Sequence, residues 1–575
     1  MKQLKKTVLG AFLAVLCAFG WATGPALAQD PADAMEPSEI PEAAQMQQPD
    51  RMGQPAGEQP AYEVHMANRT DIFWYGVTGP GQASSFYEPG WHILQENDFR
   101  AANLKDGWDS LFNLNVRTTD TDQFDPERFS IQRADWRVKK NNVTGYLGDY
   151  FANLSQYTMS QGIKGAAFKM QFQDADNYLT ANYGSFDGQW SYLLRETDDE
   201  PMDRYGGGMR YQFAREGWRL GANLATVQDR RGDSNRAFED VYDQWVGAFD
   251  WEYRSGPVVM NGEHAYAETE KDSVNAPRDN MYGTANRVGL RARLGVVTAN
   301  ARWERVEPWF VSVAGGATPD RTRSYVKLDT RVNRTFKLYG MFDYNANNIE
   351  DDGPVTTRNT TGELGTRFSR LFGRQSLNGT LALRRKWTDT SDDSRDMTSD
   401  RIKVSLSDRL WKTVRLKGQF EAILDDHAFD DQSPDDYFYD LEISSRHFLA
   451  DRAWELSPSF QVGIQERENL TTGGDDVSEM VRAEMAAAYR RLLRMGLNVE
   501  RNSNFFDQHT GIDSTRDRQN LYCESTPEWL KGGRLRVEVA NNDYMFRDPT
   551  LGFNEKIVQF SVHFDLDKKD TKEGA

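Results

Sequence analysis

Charged side chains recur at every second position along much of this chain, and that spacing carries most of its chemical potential. In the run Arg287-Val288-Gly289-Leu290-Arg291-Ala292-Arg293-Leu294, one face is apolar and the other is cationic. The same alternation places Arg302, Glu304, Lys327, Arg331, Lys337, Arg384, Lys386, Lys403, Lys417, Glu421, Arg482, Glu484, Arg536 and Glu538 opposite apolar faces, together with Arg291 and Arg293. Charges of both signs at this density cannot face lipid, where each costs about 2–4 kcal/mol at the midplane. They are expected to line a lumen, either as a closed network of pairs or as the wall of a selective water path. A second group is acidic: Asp425, Asp426, Asp430, Asp431, Asp435 and Asp436. Carboxylates suit hard cations such as Ca²⁺, but the spacing matches no EF-hand or nonapeptide repeat, which favours solvated loops. His264, His427, His447, His509 and His563 are scattered, with no HxxxH, HExxH or GxSxG among them. No nucleophile constellation, Walker loop, CxxCH or CxxC pair stands in the sequence, so neither an enzyme nor a bound cofactor is expected.

The 575 residues carry a net charge of −18, which argues against nucleic-acid partners, since these want a basic face. Lys2, Lys5 and Lys6, then an apolar stretch from Val8 to Trp21, then Pro25-Ala26-Leu27-Ala28 read as a secretory signal peptide over 1–28. Its removal would leave Cys523 as the single thiol, so no internal disulfide is expected. Residues 29–65 are rich in Pro, Gln, Met and Ala and are expected to be a disordered leader. Residues 66–105 are open between a first strand and a plug segment.

From 106 to 566 the period is two. The mean hydropathy of −0.73 does not argue against membrane insertion, because alternating strands average to polar. The apparent strands are about 10–14 residues long, against roughly 5–6 in globular sheets. Short connections such as Arg254-Ser255-Gly256-Pro257 and Leu410-Trp411-Lys412-Thr413 alternate with long ones at 269–282, 307–322, 346–359, 388–400, 425–436, 467–478, 503–517 and 542–554. The long connections hold the acidic excess. Trp303, Trp387, Trp411, Trp454 and Trp529 fall at strand ends, as interfacial girdles do. The fold expected is all-β: a large antiparallel up-and-down transmembrane β-barrel of about 24–26 strands, with short periplasmic turns and long acidic extracellular loops. Parity favours 26, with both termini periplasmic and a polar tail at 567–575.

The final strand, with Val558, Phe560, Val562 and Phe564 on one face, resembles the C-terminal insertion signal of Gram-negative outer-membrane β-barrels, and the whole pattern is porin-like. That resemblance implies a channel passing small solutes or ions, in contact with outer-membrane lipid and lipopolysaccharide. A barrel of this width is too wide to fill with its own wall side chains, so a lumen-filling partner is a second expectation. In size and short leader the chain also resembles the large barrels that sheathe multihaem cytochromes in electron conduits. It lacks the N-terminal cysteine pair those barrels often carry.

Overall fold

A computed structural model describes residues 62–570, apart from segments within connections, among them 191–202, 231–239, 428–434 and 507–512. The expected signal peptide, nearly all of the leader and the last five residues lie outside the described residues.

Alternation of apolar and polar side chains makes each segment a strand with one dry and one wet face. Among the described residues, twenty-seven strand segments join into one antiparallel sheet. Asp436–Ser445 and His447–Leu449 both pair with Trp454–Asn469 and form one strand interrupted at Arg446, so the sheet has 26 strands. It closes on itself: the first strand, Tyr62–Thr78, pairs with Gly90–Asn103 on one side and with the last strand, Phe553–Asp570, on the other. Twenty-six strands about 4.8 Å apart and tilted by about 40° give a circumference of roughly 160 Å.

The wall starts earlier than the alternation suggested. Tyr62–Thr78 and Gly90–Asn103 are its first two strands, so the segment left open between strand and plug is wall. Midway along, their outward faces carry Asn68, Thr70, Gln95 and Asn97 between exposed Met66, Ile72, Ile93 and Phe99, and Asn68 Nδ2 donates to Asn97 Oδ1 at 2.6 Å across them. This interruption hid their period. At the other end the polar tail begins inside the last strand, which runs to Asp570. The long connection expected at 269–282 is largely ladder: Val258–Ser273 and Ala276–Leu294 continue as a paired hairpin through it. Thr269 is fully buried and accepts Gln244 Nε2 at 2.6 Å, and Lys271 pairs with Asp240 at 2.7 Å.

The outward face is apolar in band form. Leu290, Leu328, Leu383, Phe460, Leu497, Val539 and Phe560 are among many large hydrophobic residues exposed there. Trp303 and Trp387 stand exposed toward the rim of long connections, and Trp411 and Trp529 toward the rim of short turns. A closed sheet with an apolar band, aromatic edges and a charged interior is the architecture of a transmembrane barrel.

Candidate lumen and inward hairpin

One hairpin leaves the wall. Val143–Ser155 pairs with its neighbour Phe129–Lys140 only from Val143 to Gly148, after which the ladder stops. Its partner Met159–Gln171 pairs with Tyr178–Ser185 only from Lys164 onward. The remaining tip, 149–163, is paired within itself and turns into the barrel.

The departure point is built from two residues. Gly148 has φ +93°, and a Cβ there would lie 2.0 Å from the Ala134 carbonyl oxygen. Only glycine allows the bend without strain. Asp149 then replaces the ladder that is lost. Its Oδ2 accepts the backbone N–H of Ala134 at 2.6 Å and the Trp190 indole N–H at 2.8 Å, and its Oδ1 takes Lys164 Nζ at 2.9 Å. Gly148→Ala is expected to destabilise the barrel by more than about 1 kcal/mol. Urea unfolding in detergent checks this, and an unchanged midpoint would show the bend to be dispensable.

Inside, the tip meets the inner faces of distant strands. Ala152, Leu154, Met159 and Ile163 pack with Ala225 and Val227. Gly208 makes the space, since a Cβ there would lie 2.4 Å from Leu154 Cδ1. Tyr157 is fully buried with Val246, Ala265, Ala267, Ala285, Val306 and Phe310. Burying a side chain the size of Leu154, Met159, Ile163 or Phe310 is worth about 1.5–3 kcal/mol.

Polar groups fix the tip's position. The Tyr157 hydroxyl donates to Glu304 Oε1 at 2.8 Å, and its backbone N–H donates to Glu263 Oε1 at 3.1 Å. Arg210 donates to the Leu154 carbonyl and grips Asp250 through two bonds of 2.7 and 2.9 Å. The connection 307–320 folds over the same tip. Ser312 Oγ donates to the Tyr157 carbonyl at 2.6 Å, Ser160 N–H donates to the Ala314 carbonyl at 2.9 Å, and the Phe310 ring meets Tyr157 edge-on at 5.8 Å.

The sixteen alternating charges share one sheet face, opposite the exposed apolar residues and on the same side as the hairpin contacts. Their environments differ. Glu304 is covered by the tip and only 6% exposed. Lys417 pairs with Glu442 at 2.8 Å, Glu421 takes Arg401 and Lys403, Glu484 lies 3.5 Å from Arg482, and Arg536 pairs with Glu538 at 2.6 Å.

Opposite charges also meet at Arg204–Asp229, 2.6 Å, and at Arg323–Asp343, 2.6 Å. In one region like charges face each other instead. Arg331 stands directly opposite Lys337, Lys337 directly opposite Arg367, and Arg409 directly opposite Arg415. All five are exposed, and none forms an ion pair with a described residue. Directly opposed like charges destabilise a sheet, so this arrangement is costly unless something anionic shares the space.

The acidic candidates do not converge. Asp425 and Asp426 lie in the strand Val414–His427, and Asp436 opens the next strand and pairs with Arg467 at 3.0 Å. Asp435 accepts the Tyr437 hydroxyl at 3.3 Å, while Asp430 and Asp431 lie outside the described residues. Among the described residues no group of three or more His, Cys, Asp or Glu is arranged to hold a metal. Other rim carboxylates stay ionised. Donors from Ser394 hold Asp392, and donors from Thr550 hold Asp548, below the usual carboxylate range.

No known protein family matches the sequence, and no curated protein does. Several solved structures align with the chain. The P pilus usher translocation pore PapC aligns over 87% of this chain and 99% of its own, with 10% identity and a TM-score of 0.39. The outer membrane transporter YddB from Escherichia coli aligns over 88% of this chain and 81% of its own, with 9% identity and a TM-score of 0.42. OprD from Pseudomonas aeruginosa aligns over 61% and 93%, with 13% identity and a TM-score of 0.27. None of them places the chain in a family.

Proposed function

We propose that this protein is an outer-membrane channel that narrows its own lumen with the hairpin tip 149–163 and passes small solutes or ions along the charged wall left uncovered. One observation carries the proposal: a closed wall, dry outside and charged inside, holds part of its own chain packed against the inner face of the strands from Asp203 to Val306. The short turns face the periplasm and the acidic connections face outward, which leaves both termini on the periplasmic side.

The like-charged ladder gives the channel a sign. Arg331, Lys337, Arg367, Arg409 and Arg415 concentrate uncompensated positive charge beside the short-turn rim, and a wall of one sign raises the local concentration of counter-ions. Purified protein in planar bilayers is expected to show discrete, stable conductance steps with a reversal potential favouring chloride over potassium. Replacing Arg331, Lys337 and Arg367 together by Gln is expected to move that potential toward zero. Silence, or a single very large leaky state, would sink the channel reading.

A second reading, a sheath around an acidic protein segment, draws on the same exposed ladder. Stoichiometric recovery of one partner from native outer membranes, together with silent bilayers, would favour it.

A further inference from the structure

Away from the hairpin, the inner wall has a recess of about 480 Å³ on the last three strands, lined among others by Arg516, Arg518, Glu538, Asn542, Tyr544 and Glu555. Its volume lies within the range of small-molecule sites, roughly 300–1,000 Å³. Two guanidinium groups stand on one strand, two residues apart and on the same face. Neither forms a hydrogen bond or ion pair with a described residue, and the Nε of each is buried without a partner.

The neighbouring acids are already engaged. Glu538 takes Arg536 at 2.6 Å and Asn520 Nδ2 at 2.7 Å. Glu555 takes Ser85 Oγ at 3.0 Å and Asn542 Nδ2 at 3.2 Å. Glu500, opposite Arg518 in register, accepts Asn502 Nδ2 at 2.6 Å. The recess therefore presents two cations whose obvious partners are turned elsewhere.

Their mounting is firm on one side. The Arg516 guanidinium lies over the Tyr544 ring at 5.1 Å, and Tyr544 stacks on Phe553 at 4.4 Å. Ala540 and Ile557 complete an apolar flank. A guanidinium fork matches the planar oxygens of a carboxylate or phosphate, and the flank suits a short apolar body.

We infer that this recess is a binding station for a small oxyanion, a carboxylate or phosphate group held between Arg516 and Arg518. It deepens the channel proposal and rests on the lumen being wet at that wall.

Equilibrium dialysis of the detergent-purified full chain against inorganic phosphate, and separately against butanoate, tests it. Saturable uptake of at least one probe is expected, and the two arms tell which oxyanion the recess takes. Arg516→Gln with Arg518→Gln is expected to weaken that uptake at least tenfold. Arg534→Gln, an inner-face arginine outside the recess, is expected to leave it unchanged. Absence of saturable uptake of both probes by the unaltered chain overturns the inference whether or not the variants fold. Unchanged uptake by the double variant overturns it too. Conductance without uptake rejects the station and keeps the channel; uptake without conductance does the reverse.

Discussion

Replacing residues 149–163 with a two-residue turn is expected to raise single-channel conductance several-fold while the barrel still forms. The tip is held by its own pairing and by contacts with the inner wall, and it contributes no ladder bond to the strands beside it. The residues it covers, Ala225, Val227, Val246, Ala265, Ala267 and Ala285, are small and apolar. Uncovering them exposes apolar surface to lumen water, at about 25 cal/mol per Å², without breaking the wall. Heat-modifiable gel migration should therefore persist while bilayer current steps grow. Steps of unchanged size would mean the tip does not limit the path.

Arg210→Met carries the other large effect. Arg210 joins three things at once: the Leu154 carbonyl on the tip, Asn223 on the adjacent strand, and Asp250 one strand further on. Removing the cation leaves Asp250 uncompensated in a partly buried site. Breaking a buried pair costs about 3–5 kcal/mol, and the lower end applies because the Asp250 side chain is 23% exposed. The tip also loses its anchor. The expected results are a lowered unfolding midpoint and new protease cleavage near 156–158. Adding Asp250→Leu should recover most of the stability and none of the anchoring, because the burial cost disappears while the Leu154 carbonyl stays unheld. Recovery of both would show that the tip is held by packing alone.

Much of the wall was legible because its signal is local. Alternation in segments such as Arg534 to Ala540 states which face is wet, and the same residues pair in that sense in the structure. The hairpin was not legible for the opposite reason. Leu147, Gly148 and Asp149 read as ordinary strand, and the seat of the tip inside is set by Glu263 and Glu304, more than a hundred residues further along the chain. A trace did exist. Leu224-Ala225-Thr226-Val227 and Ala265-Tyr266-Ala267 are apolar or small on both faces where charge was due, and a strand dry on both sides must be covered on both sides. Glu304 shows the same limit at a single residue: its period gave its face and nothing about what would lie on top of it. The recess at Arg516 and Arg518 was invisible too, since two arginines among many become distinctive only once their neighbours' partners are known.

The closing seam has a consequence for biogenesis. All seventeen residues of the first strand pair with the last strand, from Tyr62 against Asp570 to Thr78 against Asn554. Nascent or truncated chains therefore carry two raw sheet edges, each able to recruit a foreign strand, and no partial product can seal. Sealing waits for Phe553–Asp570, which makes that strand the checkpoint for a watertight wall. The seam also brings the two ends of the barrel chain side by side. A permuted gene that joins them and opens at an outer connection would preserve every wall pairing while moving the checkpoint to a different strand.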